Sequence, residues 1–384
     1  METFEHTSTQ LILFLDLYGI TAAVPLMGAF YLLFRRANAI APGVTSPVRL
    51  RRWTASFFAV ATLVHVWWLL FYIYSGDLQS VSYLVLVMLD CVILFTTFSG
   101  MLLAMLQDRR RSVMPALMSM IPFVALWGAY MVYPGKLIEQ IVCIYLLLLS
   151  LAFTGYMVFS IRQYGRWLND NYADLENKKV WLCQAVALVC MLLFVVYVLA
   201  TDMVFIWLLH IIELVLVGLL LWRVETLPQL ESTSTEEVST VSAQATSNVV
   251  SLDSFPSQPA TPVTVDLEQI DRLLNEHCVK TRLYLQHDLT LQQLAQTVGT
   301  NRYYLSQYFS RQGITYNTYI NNLRINHFIS LYQGTATDGQ SRGAQLLAQD
   351  SGFRSYSTFS RAFTERMGQS VTAWMREYGR INRG

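Results

Sequence analysis

Two groups of residues in this 384-residue chain have the types and spacing that chemistry needs, and they lie far apart along it. The first is Asp16, His65, Asp90, His210 and Glu213, five ionisable side chains set inside long apolar blocks. Ionisable groups are costly to hold in lipid, so such positions are where an ion, a proton or a ligand is read. At a helical rise of about 1.5 Å per residue, all five fall in the outer half or near the middle of their blocks. His210 and Glu213, three apart, share one helix face. The five can form a signal pocket open to the outside, or they can satisfy one another as polar pairs between packed helices. The second group lies in the stretch SGFRSYSTFSRAF, Ser351 to Phe363. Phe359 and Phe363, four apart, give a short helix an inner face, and Arg354, Ser357, Thr358 and Arg361 are left on its outer face. Such a face offers hydroxyls and a guanidinium fork to the base edges of a DNA groove.

The elements that must position these groups follow from composition. With 54% hydrophobic and 14% charged residues the chain is too apolar for an ordinary soluble protein, and the average conceals a split into 1–223, 224–264 and 265–384. In the first part, seven apolar blocks run near 11–33, 53–75, 81–106, 113–133, 138–161, 180–200 and 204–222, each close to the roughly 20 residues a bilayer crossing takes. Thirteen Lys and Arg residues fall in the connections on one side, among them Arg35, Arg36, Arg109, Arg110, Arg111, Lys178, Lys179 and Arg223, against Lys136 alone on the other. The positive side is the cytoplasmic one, which predicts seven spans with the N-terminus outside and everything after Trp222 inside. Trp53, Trp167, Trp181 and Trp222 sit near the inner boundary, as rings at a headgroup layer do. No export signal is evident at Met1 to Gln10, which holds two acids and no Lys or Arg.

The outer connections are too short to fold into a receptor domain, so a signal must be read within the helices or at their rims. The inner loop from Ser160 to Leu182 places Trp167, Leu168, Tyr172 and Leu175 at helical spacing among charges, which reads as a helix lying on the membrane surface or as a docking site for the tail. From Thr226 to Thr264, 15 of 39 residues are Ser or Thr and none is Lys or Arg, a composition that cannot bury enough apolar surface to offset ordering and reads as a disordered linker. The five cysteines, Cys91, Cys143, Cys183, Cys190 and Cys278, form no CxxC and read as packing residues.

The third part has a soluble composition and 13 Lys and Arg against 9 Asp and Glu, a modest bias toward a polyanion. In LTLQQLAQTVGTNRYYLSQYF, Thr290 with Gln293 makes a capping box, and Leu291, Leu294, Ala295 and Val298 mark one apolar face. Gly299 gives the turn its freedom. Thr300 can cap a second helix whose Leu305 and Phe309 pack back, so the reading is helix, turn, helix. The same order returns 53 residues later with Ala348 and Gly352, and 54 later with Phe359 and Phe363. Between the two units ITYNTYINNLRINHFISLYQG reads as one long helix ending at Gly334. A rigid pair of this kind suits successive major grooves about 34 Å apart.

On the landmarks LAQTVG, YLSQYF, YINNLRI, SGFRSYSTFSRAF and MGQSVTAW, residues 287 to 378 resemble the AraC/XylS family of transcription regulators. The resemblance implies sequence-specific promoter DNA as partner, RNA polymerase as a second one, and activation of transcription; taken with the apolar blocks and their basic asymmetry, the expected place is the bacterial cytoplasmic membrane with the last domain in the cytoplasm. The family's DNA-contacting positions fall on Arg302, Tyr303, Ser306 and Gln307 in the first unit and on Arg354, Tyr356, Ser357, Thr358 and Arg361 in the second. The chain departs from the family pattern at His327, at Ser351 and at Val371, where a small residue, an apolar one and a nearby proline are usual. Arg324 reads as an intradomain ion pair.

The expectation is therefore an all-α protein: a seven-helix membrane domain, 1–223, a disordered linker, 224–264, and a double helix-turn-helix DNA-binding domain, 265–384. No catalytic constellation, cofactor motif or metal-ligand spacing stands in the sequence, and a non-enzymatic one-component regulator is expected, with a homodimer open to it. The rival readings are a membrane transporter, or another membrane protein, whose tail is regulatory or binds protein.

Overall fold

In the computed structural model, residues 2–74, 76–77, 80–200, 203–230, 267–337 and 343–381 are described, and among them the chain is all helix and connection. An isolated antiparallel bridge, Tyr172 to Thr290, is the extended pairing among these residues. The chain forms two compact units, Met1–Tyr164 with Asn177–Gln244, and Gly165–Glu176 with Ala245–Gly384.

The first unit holds α1 (Glu2–Phe34), α2 (Val48–Tyr74), α3 (Val81–Ala104), α4 (Met114–Met118), α5 (Ile121–Val132), most of α6 (Lys136–Asn171), α7 (Trp181–Ala200) and α8 (Met203–Thr226). Among the described residues, five stretches are long and apolar enough to cross a membrane: Ile12–Phe34, Val48–Tyr74, Val81–Ala104, Met114–Val132 and Lys136–Asn171. Trp181–Leu193 of α7 is apolar and shorter. The block expected as one span over 113–133 is two helices in series. Pro122 lacks an N–H, and its ring excludes a helical carbonyl four residues back, so the helix stops after Met118 and restarts at Ile121. Tyr145 donates to the carbonyl of Ser119 at this break (2.5 Å).

α1 packs on α2 and α8, α2 on α3 and α8, and α7 on α8. Two glycines permit the closest approaches. A Cβ on Gly28 would stand 2.9 Å from the Phe58 ring, and one on Gly100 would fall inside the indole of Trp53. The outward faces carry exposed large apolar side chains, such as Met27, Phe34, Ile73, Leu137 and Leu148, more apolar surface than a soluble monomer shows.

Past α8 the chain does not enter a linker at residue 224, as the composition implies. Val224 and Leu227 are fully buried and Leu230 nearly so, three apart on one face, and polar bonds fix what lies between them. Glu225 pairs with Arg35, accepts from Tyr31 Oη (2.8 Å) and from Ile40 N (2.7 Å), and its carbonyl accepts from Asn38 Nδ2 (2.8 Å). Gln229 N donates to Thr45 O (2.8 Å), and Gln107 bonds both Pro228 O (3.0 Å) and Leu230 N (2.8 Å). The rest of the expected linker, 231–264, lies outside the described residues.

The second unit opens with α9 (Leu267–Leu274), a π turn at Asn275–Val279 and a 3₁₀ turn at Leu283–Leu285, followed by α10 (Leu291–Val298), α11 (Arg302–Arg311), α12 (Tyr316–Thr337), α13 (Ala344–Asp350), α14 (Tyr356–Met367) and α15 (Val371–Ile381). Two apolar cores result. One gathers Leu291, Leu294, Ala295, Val298, Leu305, Phe309 and Ile320, and the other Ile325, Phe328, Leu347, Phe353, Phe359, Phe363 and Val371. α12 supplies residues to both and continues through Gly334 to Thr337, past the end expected from the sequence. Val371 begins α15 as a core residue, and Ser351 is buried with its hydroxyl donating to Leu347 O (2.6 Å).

Candidate functional site

Each helix-turn-helix unit is set by local chemistry that can be followed residue by residue. Gln293 N donates to Thr290 Oγ1 (3.1 Å) and Thr290 N to Gln293 Oε1 (3.0 Å), the complete capping box. Gly299 then turns the chain at φ +76°, where a side chain would be strained. The next helix is capped by Asn301, not by Thr300: Tyr303 N donates to Asn301 Oδ1 (2.6 Å). Thr300 N is already spent on Ala295 O (2.9 Å) in closing α10, so the extended cap position passes to the next residue. In the second unit Gly352, at φ +87°, lies so near the backbone of Leu285 that a Cβ would stand 2.7 Å from its Cα. Ser355 caps α14 by accepting from Thr358 N (3.3 Å).

These turns bring the expected residues onto two outer helix faces. On α11, Leu305, Tyr308 and Phe309 point inward while Tyr303 and Ser306 are exposed. Gln307 Nε2 donates to Tyr303 Oη (2.7 Å), which fixes both side chains along the face. Arg302, the first residue of α11, is half-buried, and its Nε donates to Asn171 Oδ1 (3.0 Å), which also accepts from its Nη2. On α14, Phe359 and Phe363 are fully buried, and Tyr356, Ser357 and Arg361 are exposed around an open depression that Ser360, Thr364 and Glu365 complete. Thr358 is half-buried, within reach of Ser355 Oγ (3.1 Å). Arg354, before the helix, pairs at the surface with Asp288 (3.0 Å).

Among the described residues Arg324 makes no ion pair within 4.0 Å. It is buried on α12, Nε donates to Tyr284 O (2.7 Å) and Nη2 to Gln286 O (2.8 Å), and its guanidinium lies over the Phe353 ring at 5.6 Å. Two carbonyls and a π face replace the expected ion pair. Tyr308 ties α11 to α9 through Asp271 (2.7 Å), and burial, with that carboxylate beside it, pushes its phenol up to about 12.

Of the five ionisable groups in the apolar blocks, the first unit gathers three. His65 Nε2 is 3.5 Å from Glu213 Oε2, and the His210 ring lies 5.6 Å from that of His65. The sequence gives no sign of the residue that joins them: Tyr18 donates to His65 O (2.5 Å), and its ring is 5.0 Å from His65 and 5.6 Å from His210. His65 Nδ1 faces Ala61 O at 2.8 Å, a contact that requires a proton on Nδ1. A neutral imidazole then turns a lone pair toward Glu213, so the pair is compatible at close range when either Nε2 or the carboxyl carries a proton. Asp90 makes its hydrogen bond elsewhere, accepting from Trp68 Nε1 (2.5 Å). Asp16 is exposed on α1. Direct contacts among the five are thus shown for His65 with Glu213 and with His210. Apolar neighbours cannot disclose a Tyr or a Trp as partner, because both look like core in a hydropathy pattern.

Residues 294–377 match the family model of a helix-turn-helix domain, which supports an AraC-type DNA-binding domain in that stretch. No curated protein and no solved structure matches the chain.

Proposed function

We propose that the chain is a membrane-bound one-component transcription regulator. Seven spans hold it with the N-terminus outside, and the C-terminal domain reads promoter DNA from the cytoplasm through α11 and α14. The observation that carries the reading is the pairing, in one chain, of two capped helix-turn-helix units spanned by α12 with helices whose outer faces are apolar. The basic asymmetry of the connections sets the orientation, with α7 and α8 as the sixth and seventh spans. A proton or small cationic signal at Tyr18, His65, His210 and Glu213 alters how α1, α2 and α8 pair, and it does so by binding one arrangement better than the other.

The test maps DNA sites bound in cells by the full chain and by a Glu213→Gln variant. Discrete promoter sites for the full chain, and output locked high or low at normal membrane abundance for the variant, are expected. Absence of any bound site removes the regulator reading and favours a transporter or a protein-binding tail. Reporter fusions after Gln10 and after Ser239 should report opposite sides, and the same side for both removes the seven-span topology.

A further inference from the structure

The segment Gly165–Glu176 joins α6 to α7 in sequence, yet it folds as part of the second unit. Its fit there is specific. Asn317 Nδ2 donates to Tyr172 O (3.1 Å) and Ala173 O (2.6 Å), and Ala173 N donates to Leu289 O (3.3 Å). Tyr172 bridges to Thr290, the cap of α10, and Ala173, fully buried, is a member of the first core. Asn171 takes the Arg302 guanidinium with one oxygen. The loop is thus neither a separate helix on a membrane surface nor a free connection, since α6 runs on to Asn171 and the next residues are bonded down.

What it covers is the first unit's approach to DNA. In a helix-turn-helix the start of the second helix meets base edges and the first helix crosses the phosphate backbone. The segment lies at the start of both, at Arg302 and at Thr290. Its chemistry suits that place: Asp170 to Glu176 carries three acids, Asp170, Asp174 and Glu176, and no Lys or Arg. Asn171 presents to Arg302 the kind of acceptor oxygen that a base or phosphate would offer.

We propose that residues 170–176 occupy the DNA-facing entrance of the first helix-turn-helix unit as an intramolecular competitor, so that this loop and duplex DNA exclude one another at Arg302. This rests on the reading of α11 as a DNA-reading helix.

The experiment uses the full chain in lipid nanodiscs and duplexes enriched by it from a randomised pool. Asn171→Ala removes the Asn171 oxygen from Arg302 and should tighten binding about tenfold, the worth of a hydrogen bond to a charged group. Asn171→Asp strengthens the hold with a carboxylate and should weaken binding roughly fivefold. Opposite shifts are not what a merely destabilised fold produces. Hydrogen exchange at the amides of 170–176 should rise when the wild-type chain binds the duplex. Shifts of one sign for both variants, no shift, or unchanged exchange in the DNA complex would overturn the competitor while leaving DNA reading intact. Failure of the wild-type chain to enrich any duplex overturns both.

Discussion

The two helix-turn-helix units share one plan and differ in what lies on their outer faces. In the first, the leading arginine is bonded to Asn171, Tyr303 is bonded to Gln307, and a neighbouring loop closes over Thr290. In the second, Tyr356, Ser357 and Arg361 surround an open depression, and the adjacent ion pair, Arg354 with Asp288, is exposed on both sides. The cores differ in the same sense. The first borrows Ala173 from the loop, whereas the second is built from α12 to α15 and the intervening turn, with Phe328, Phe359, Phe363 and Trp374 in ring contact. One half of a duplicated fold is bonded to the segment 165–176, and the other carries an open depression on its outer face. On the proposed function, the second unit makes the first encounter with DNA and the first unit is the one under control.

The contrast breaks most sharply through the cores. Phe359→Ala removes a fully buried ring and should cost about 3 to 5 kcal/mol, read as faster hydrogen exchange in α13 and α14 with a smaller rise in α10 and α11. An equal rise in both units would mean that the two cores unfold as one. The next test separates the reading faces. Arg361→Ala should lose about 1 to 3 kcal/mol of discrimination between the preferred duplex and one altered at a single guanine, whereas Arg302→Ala should lose less in the full chain, because Asn171 already competes for that side chain. Equal losses on specific and random duplex would make Arg361 a phosphate contact.

Cap replacements sharpen the comparison at lower cost. Asn301→Ala and Ser355→Ala should each destabilise their own helix by about 1 kcal/mol, visible as exchange confined to α11 or to α14, and Thr300→Ala should leave α11 unchanged. The smallest effect concerns His327, whose ring meets Tyr284 at 6.0 Å. Burial, then the nearby Arg282 charge, lower its affinity for a proton below the ordinary value near 6.5. The unfolded chain therefore binds the proton more readily. Stability from this group is present above about pH 6.5 and is lost as pH falls through that value toward the folded one. His327→Gln should flatten the decline of unit stability between about pH 7 and 5, in unfolding curves taken across that range.

What the sequence discloses, and what it conceals, follows from the range of each interaction. Thr290 with Gln293, the apolar spacing of Leu291 to Val298 and the return of that order at Ala348 to Phe363 are local, and each has its counterpart in the structure. Thr300 and Asn301 compete for one cap, and only the carbonyl that Thr300 N reaches decides between them. Arg302 is expected to read DNA from its place in the motif, but Asn171, which accepts from it, stands 131 positions away, beyond any periodicity. The exit of α8 was concealed by its polar composition, although Val224, Leu227 and Leu230 recur three apart. Likewise Tyr18 and Trp68 pass for lipid-facing or core aromatics until His65 and Asp90 are seen beside them.

Arg324 has a consequence that reaches beyond the protein. Its guanidinium bonds the turn that leads into the first unit and lies on Phe353 of the second, while Gly352 is pressed onto Leu285 from the other side. Those contacts weld the two halves at the middle of α12, so they behave as a ruler of fixed length and fixed twist. A duplex with one base pair inserted between two half-sites turns one of them by about a tenth of a revolution. A hinged pair would absorb that turn. On the proposed function, a welded pair would leave one half-site facing away, so the spacing of half-sites would be selected as base identity is, through an arginine buried inside the protein.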